Sequence, residues 1–439
     1  MTHRLLVLGA GLVARPLVRY LLETTPHRLT CADREPDKAR ALIAGHPRGT
    51  ALAIDVEDRA ELSRLIAGCD LAVSLLPYTF HPTVAQLCLE HRKHLVTTSY
   101  VSPAMKAFDQ AAQEAGVLFL NEIGLDPGLD HMSAMRVIDR VTRQGGQVVS
   151  FRSYCGGLPA PDANDNCMGY KFSWSPRGVL LAGRNHARYL EDGQVVEIPG
   201  PELFKHHWYV NIPGYWTFEA YPNRDSLPYR DLYGLQQART MFRGTLRNPG
   251  WCRFWYKMAR LGWLDDTPRA DLAGKTWAQV LRALVPGQGA LLDDLCRHWD
   301  VPADADEIKR IKWLGLAGDE PVPAGPNNLL DLLCAHLIKK LELKEGERDM
   351  IVLFHEFEAE YPGRREYITS TLVDFGMPRG DSAMSRTVSL PAAIAVRRIL
   401  AGELRLTGVQ IPVRPEIYLP VLAELETQQI KCVEAFHPR

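Results

Sequence analysis

No apolar run in this 439-residue chain reaches the roughly 18 residues that would suggest a membrane span. An excess of one charge is also missing. Fifty-one basic side chains stand against 52 acidic ones, a net charge of −1, which is not the basic footprint of a nucleic-acid binder. The nine cysteines are scattered without a Cys-x-x-Cys pair, so neither a disulfide framework nor a zinc knuckle is indicated. No cluster has metal-ligand spacing, and no metal is expected. Most thiols are expected to be buried as small hydrophobes, with Cys155 the exception. The opening apolar run at 5–8 is too short for a signal peptide and lacks a small-residue cleavage site. Internal repeats and low-complexity stretches are absent. With 46% apolar and 23% charged residues, what remains is a folded cytoplasmic enzyme of two or three domains, with no membrane or nucleic-acid partner.

The first 125 residues alternate short apolar runs with amphipathic stretches. The spacing predicts strands over 4–8, 28–32, 51–54, 70–76, 94–98 and 117–120. It predicts helices over 12–23, 35–44, 59–67 and 81–91. Apolar strands separated by helices of about ten residues specify an α/β fold with a parallel, doubly wound sheet. After Asp126 the texture changes. Residues 147–155 and 208–212 are extended, and 156–178, rich in glycine, proline and aromatics, reads as functional loops. Residues 247–347 are helical, with apolar residues at helical spacing in 277–284 and 329–343. Two strands are predicted over 349–359 and 365–374, then a helix over 388–404 that starts at Leu390-Pro391.

The segment Leu8-Gly9-Ala10-Gly11-Leu12-Val13-Ala14 has the form G-x-G-x-x-G/A between a strand and a helix, at the start of a βαβ repeat. Gly9 makes the tight turn, Gly11 lets backbone approach a pyrophosphate, and Ala14 lets helix and strand pack closely. The helix N-terminus then offers N–H groups to the phosphates. A dinucleotide cofactor is therefore expected, on Gly9, Gly11, Leu12, Val13 and Ala14. Asp33, at the end of the second strand, stands where a carboxylate accepts from the ribose hydroxyls and repels a 2′-phosphate; as a structural residue it would cap the next helix. Arg34 beside it would pair with that phosphate instead. The carboxylate leans the expectation to NAD, with NADP possible. Asp55 after the third strand is placed near the adenine or as a cap. Leu76 and Pro77 end the fourth strand, at the carboxyl edge where such sheets bind ligands.

Six blocks in order resemble the saccharopine dehydrogenases that form L-glutamate, also called saccharopine reductases. They are Val7 to Pro16; Thr98-Ser99-Tyr100-Val101-Ser102-Pro103; Asn121 to Met132 around Asp126-Pro127-Gly128; Ser153-Tyr154-Cys155-Gly156-Gly157 to Pro161; Gly169 to Gly178; and Tyr221-Pro222-Asn223-Arg224-Asp225-Ser226. The resemblance covers nearly the whole chain. It implies interconversion of saccharopine with L-glutamate and 2-aminoadipate 6-semialdehyde, in lysine metabolism, by hydride transfer at a secondary amine. It further implies a Rossmann domain over 1–125, a mixed α/β substrate and dimerisation domain over 126–246 and 348–387, a helical insertion over 247–347, and a segment over 388–439 that returns to the Rossmann domain. A homodimer is implied as well. Fungal relatives using NADP have a small residue before the arginine at the second strand end, whereas NAD-using animal and plant relatives have an acidic one, like Asp33.

Oxidising a secondary amine to an imine that water opens requires proton donors and acceptors near the nitrogen, and cationic forks for the substrate's carboxylates. Asp126, Tyr100 and Cys155 are the catalytic candidates; a turn residue, a packing aromatic and a buried thiol are their structural readings. No covalent nucleophile is needed. Ser99, Tyr100, Asp126, Gly156 and Arg224 are the substrate-binding candidates, Arg224 as carboxylate clamp, with Lys171 and Ser173 behind them. His131 and His355 are read as structural. Two other functions fit a glycine turn: a carboxynorspermidine- or homospermidine-type imine reductase, and a non-catalytic NAD-sensing protein. The blocks after Asp126 weigh against the sensor.

Overall fold

The structure, a computed structural model, describes residues 2–438. Its elements begin with β1 (Arg4–Leu8), α1 (Arg15–Thr24), β2 (Arg28–Asp33), α2 (Pro36–Ile43), β3 (Gly49–Ala53), α3 (Arg59–Ala67) and β4 (Leu71–Ser74). There follow α4 (His81–Glu90), β5 (His94–Thr97), α5 (Pro103–Lys106), α6 (Asp109–Ala115), β6 (Leu118–Leu120) and α7 (Leu129–Arg143). Next are β7 (Gln147–Pro159), α8 (Pro176–Leu181), β8 (Ala187–Glu191), β9 (Gln194–Ile198), β10 (Trp208–Asn211), β11 (Thr217–Pro222), α9 (Pro228–Leu232) and β12 (Thr240–Arg247). Helices α10 (Trp251–Arg260), α11 (Trp277–Leu284), α12 (Leu291–Trp299), α13 (Asp306–Leu314) and α14 (Leu329–Lys340) come before β13 (Asp349–Tyr361) and β14 (Arg364–Phe375). The chain closes with α15 (Ala383–Leu400), β15 (Gly408–Gln410), α16 (Pro415–Thr427) and β16 (Val433–Pro438).

Two compact units result. The first runs to Gln147 and takes in Tyr361–Arg364 and Ser370–Phe436; the second holds Val148–Glu360, Arg365–Thr369 and the chain from His437. In the first unit a seven-stranded sheet has the order β15-β6-β5-β4-β1-β2-β3, with parallel pairing throughout. The apolar runs of β1 and β4 are buried on both faces, which is why they read as continuous rather than alternating. Strand order reverses between β1 and β4, and in open α/β sheets ligands bind at the carboxyl ends of the strands flanking such a reversal. Local signals set the helix starts: Pro16 lies in the first turn of α1, and the Asp58 carboxylate accepts from Ala60 and Glu61 N–H at the start of α3. In the same unit α15 packs on α1 and α16 on α7.

The tail helix starts earlier than its sequence indicates. Ser382 accepts from Ser385 N–H as the cap of α15, and Pro391 lies inside the helix, not at its start. A proline there has no N–H to donate and its ring crowds the Thr387 carbonyl one turn back, while the Thr387 and Ser389 hydroxyls donate to the Ala383 and Ser385 carbonyls.

In the second unit β10, β11, β12, β7 and β13 lie side by side in that order in a mixed sheet, with the β8–β9 hairpin paired to β12. β7 and β12 are parallel, Thr240 to Thr245 facing Ser150 to Cys155, while β11 and β12 are antiparallel. The helices α10 to α14 bury Trp251, Trp255, Trp263 and Trp277. One expectation needs correcting here. Gly156 and Gly157 are not loop residues but continue β7 to Pro159.

Candidate active site

At the reversal point β1 is followed by Gly9, whose φ of +100° favours glycine. A Cβ on Gly9 would stand 3.1 Å from the Leu75 carbonyl oxygen, so the turn lies against the end of β4 just before Leu76 and Pro77. A Cβ on Gly11 would meet nothing within 4 Å, and its exposed backbone borders open space. The N–H groups of Gly11, Leu12 and Val13 have no hydrogen-bond partner among the described residues, and Ala14 is fully buried as the N-cap of α1. Three unpaired donors at a helix N-terminus form a cradle that fits a pyrophosphate.

Asp33 serves this turn directly. One of its carboxylate oxygens accepts from Ala10 N–H at 2.7 Å and the other from Glu35 N–H at 2.8 Å. Arg34 next to it is exposed. Asp55 is exposed and accepts from Glu57 N–H in a local turn, while the cap of α3 is Asp58.

Beyond β5 and β6 two candidate residues meet. The Tyr100 hydroxyl donates to an Asp126 carboxylate oxygen at 2.7 Å, and both side chains are half-buried. Behind Ser99 stands a group that sequence reasoning passed over. His81 Nε2 lies 2.8 Å from the Ser99 hydroxyl and 3.2 Å from that of Thr97; its Nδ1 is 3.0 Å from the Ser74 hydroxyl. Burial pushes the His81 pKa down from 6.5 to about 4, so the ring is neutral at neutral pH. The signal lay in three hydroxyl residues at the carboxyl ends of β4 and β5, which strand patterning treats as filler. Glu122, also overlooked, accepts from Val101 N–H at 2.9 Å and lies 2.8 Å from His131 Nε2.

The remaining candidates belong to the second unit. Cys155 sits in mid-strand beside Thr245 of β12 and is buried; the exposed cysteine of this chain is Cys167. A Cβ on Gly156 would be 2.8 Å from Leu246 Cβ, so the missing side chain is used for strand packing. Arg224 lies on an exposed turn after β11, with its carbonyl accepting from Arg188 N–H. The Lys171 ammonium is buried against Glu347 at 2.7 Å and Asp165 at 2.9 Å. Burial alone would lower its pKa, but the two carboxylates outweigh that and raise it. Ser173 is buried, and His355 packs against the rings of Phe151 and Phe357. Sequence reasoning missed Arg247 on β12, buried with its guanidinium over Tyr170 and Trp251.

Residues 5–120 match the family model described as the saccharopine dehydrogenase NADP binding domain, and residues 124–430 match the saccharopine dehydrogenase C-terminal domain. The chain belongs to the saccharopine dehydrogenase family. Among its relatives, the saccharopine dehydrogenase [NADP(+), L-glutamate-forming] of Schizosaccharomyces pombe is 41% identical over 98% of both chains. The protein of the same name from Pyricularia oryzae is 43% identical over 99% of both. The alpha-aminoadipic semialdehyde synthase of Bos taurus is 37% identical over 97% of this chain, which spans 47% of that longer protein. Among solved structures, apo saccharopine dehydrogenase (L-Glu forming) from Saccharomyces cerevisiae superposes with a TM-score of 0.89 at 39% identity, covering 99% of each chain. The Rossmann sheet and nicotinamide-dinucleotide binding expected from the sequence are thus features of the family. The lean to NAD is not supported by these names, which print NADP.

Proposed function

We propose that this chain catalyses the reversible oxidation of saccharopine, with water, to L-glutamate and 2-aminoadipate 6-semialdehyde, using NADP. The observation that carries the proposal is the end-to-end match, at 41–43% identity, with relatives named saccharopine dehydrogenase [NADP(+), L-glutamate-forming]. NADP is favoured over NAD by those names and by Arg34, an exposed guanidinium suited to a 2′-phosphate, while both oxygens of Asp33 are engaged by backbone N–H groups.

The dinucleotide supplies a hydride acceptor. Gly11, Leu12 and Val13 N–H groups hold its pyrophosphate. The Tyr100 phenol donates to Asp126 and aims its carboxylate, and Asp126 takes a proton from the secondary amine or from the water that opens the imine. Ser99 hydrogen-bonds substrate from the same loop. Arg224 holds a carboxylate through its fork of donors, and the reaction needs no covalent step at the Cys155 thiol. The protein works as a homodimer in the cytoplasm; light scattering of the purified protein tests the first point.

The purified chain with saccharopine should produce NADPH absorbance, and faster than it produces NADH. Activity on polyamine-derived imines without activity on saccharopine would refute the proposal.

A further inference from the structure

Asp130, His131 and Glu122 are 1%, 0% and 5% exposed, so two carboxylates and an imidazole are withdrawn from water side by side. Such burial is strongly unfavourable for a charged group unless it is paired and hydrogen-bonded. Here each is engaged. His131 Nε2 is 2.8 Å from one Glu122 oxygen, and its Nδ1 is 3.6 Å from Asp130. The other Glu122 oxygen accepts from Val101 N–H at 2.9 Å, and Asp130 accepts from Gly128 N–H at 2.6 Å. Those two amides flank the reactive pair, Val101 directly after Tyr100 and Gly128 two residues after Asp126.

The backbone around them is tightly constrained. Glu122 has φ of +56°, a left-handed conformation that a side-chain-bearing residue rarely adopts. Its own N–H donates to the Ser99 carbonyl, so Glu122 grips residues 99 and 101 on either side of Tyr100. Gly128 has φ of +147°, and a Cβ there would stand 2.1 Å from the Gly124 carbonyl oxygen. No group of three or more His, Cys, Asp or Glu among the described residues could hold a metal ion, so the cluster is not a metal site there.

We propose that Glu122, His131 and Asp130 form a buried clamp that positions Tyr100 and Asp126: Glu122 fixes the loop carrying the phenol, Asp130 the loop carrying the carboxylate, and His131 ties the two together. All three are positioning residues. The inference rests on the function proposed above for its kinetic readout, and on the geometry alone for its second readout.

The test uses the full chain with Glu122→Ala and Asp130→Ala beside the conservative Glu122→Gln and Asp130→Asn, whose amide oxygens still accept from Val101 and Gly128. Misplacement of a reacting group by about 1 Å costs roughly 100-fold, so the alanine variants should lose about that much kcat while dinucleotide stoichiometry and KM stay at wild-type values. The amide variants should remain within about tenfold of wild type. His131→Gln, which unlinks the carboxylates but leaves both in place, should lose about tenfold in kcat and still fold. Alanine variants at full rate, a rate lost in step with dinucleotide stoichiometry, or amide variants as impaired as alanine would each overturn the clamp. The second readout needs no substrate. Amide hydrogen exchange at Val101 should speed up about tenfold or more in Glu122→Ala, and at Gly128 in Asp130→Ala, with β1 and β4 unchanged. Unchanged exchange at both amides overturns the clamp. A wild-type protein inactive on saccharopine overturns only the proposed function, because exchange still decides the clamp.

Discussion

Acidification should destabilise the first unit through His81 by an amount that can be worked out beforehand. The ring is 2% exposed, and its nitrogens face the hydroxyls of Ser74, Thr97 and Ser99, with no carboxylate among the described residues bonded to it. In the unfolded chain it titrates near 6.5, in the folded chain near 4. Between those values the unfolded state holds more protons, so stability is whole above pH 6.5 and is lost as the pH falls toward 4. The gap between the two values, at about 1.4 kcal/mol per pH unit, limits the loss to about 3 kcal/mol, with most of it reached by about pH 4.5. Urea unfolding of wild type and His81→Gln at neutral pH and at about pH 4.5 isolates this contribution, because glutamine does not titrate and every other group is common to both. The wild type should lose about 2–3 kcal/mol more than the variant between the two conditions. Equal losses would refute the assignment of a buried, neutral imidazole.

Other perturbations bear on the same unit. Tyr100→Phe removes the 2.7 Å donation to Asp126 and should lower kcat by about 10- to 100-fold, with the dinucleotide KM unchanged in steady-state assays. Arg34→Ala should reduce the preference for NADP over NAD by about tenfold, read from the ratio of kcat/KM values; an unchanged ratio removes the guanidinium from 2′-phosphate binding. Gly128→Ala forces a side chain to within 2.1 Å of the Gly124 carbonyl at φ of +147° and should destabilise by about 3 kcal/mol or more, seen as a lower melting temperature or loss of soluble protein.

Residues 4–8 and 71–74 were legible as strands because both faces of β1 and β4 are buried, and a run of Leu, Val and Ala records that environment locally, although the expected strand over 70–76 overran β4 at both ends. The glycine turn was legible for a similar reason, since φ of +100° and a close approach to the Leu75 carbonyl constrain residue type at Gly9 by itself. Residues 408–410 carried no such mark. Three residues have no periodicity, and β15 exists because β6 offers an edge to pair with. Pro391 misled because a proline signals a helix start only when no cap precedes it, and Ser382 does. At the candidate site, Tyr100 and Asp126 stood out as chemically useful residues beside strand ends. The partners of Glu122 and His81 did not, because a buried polar residue is defined by what folds against it, and those partners lie 9 to 21 residues from Glu122 and 7 to 18 from His81.

The pairing of β15 with β6 also dictates an order of events during synthesis. The first six strands leave the ribosome within the opening 120 residues, yet the edge that β15 covers stays open until residue 410 has been made, nearly 300 residues later. At about 5–20 residues per second that delay is of the order of 15–60 s. Throughout it, β6 presents unpaired backbone and α1 lacks the helix that packs on it, an invitation to pair with another nascent chain. A message cut short before α15 would therefore yield a nucleotide-binding sheet that is complete in its glycine turn and yet prone to aggregate.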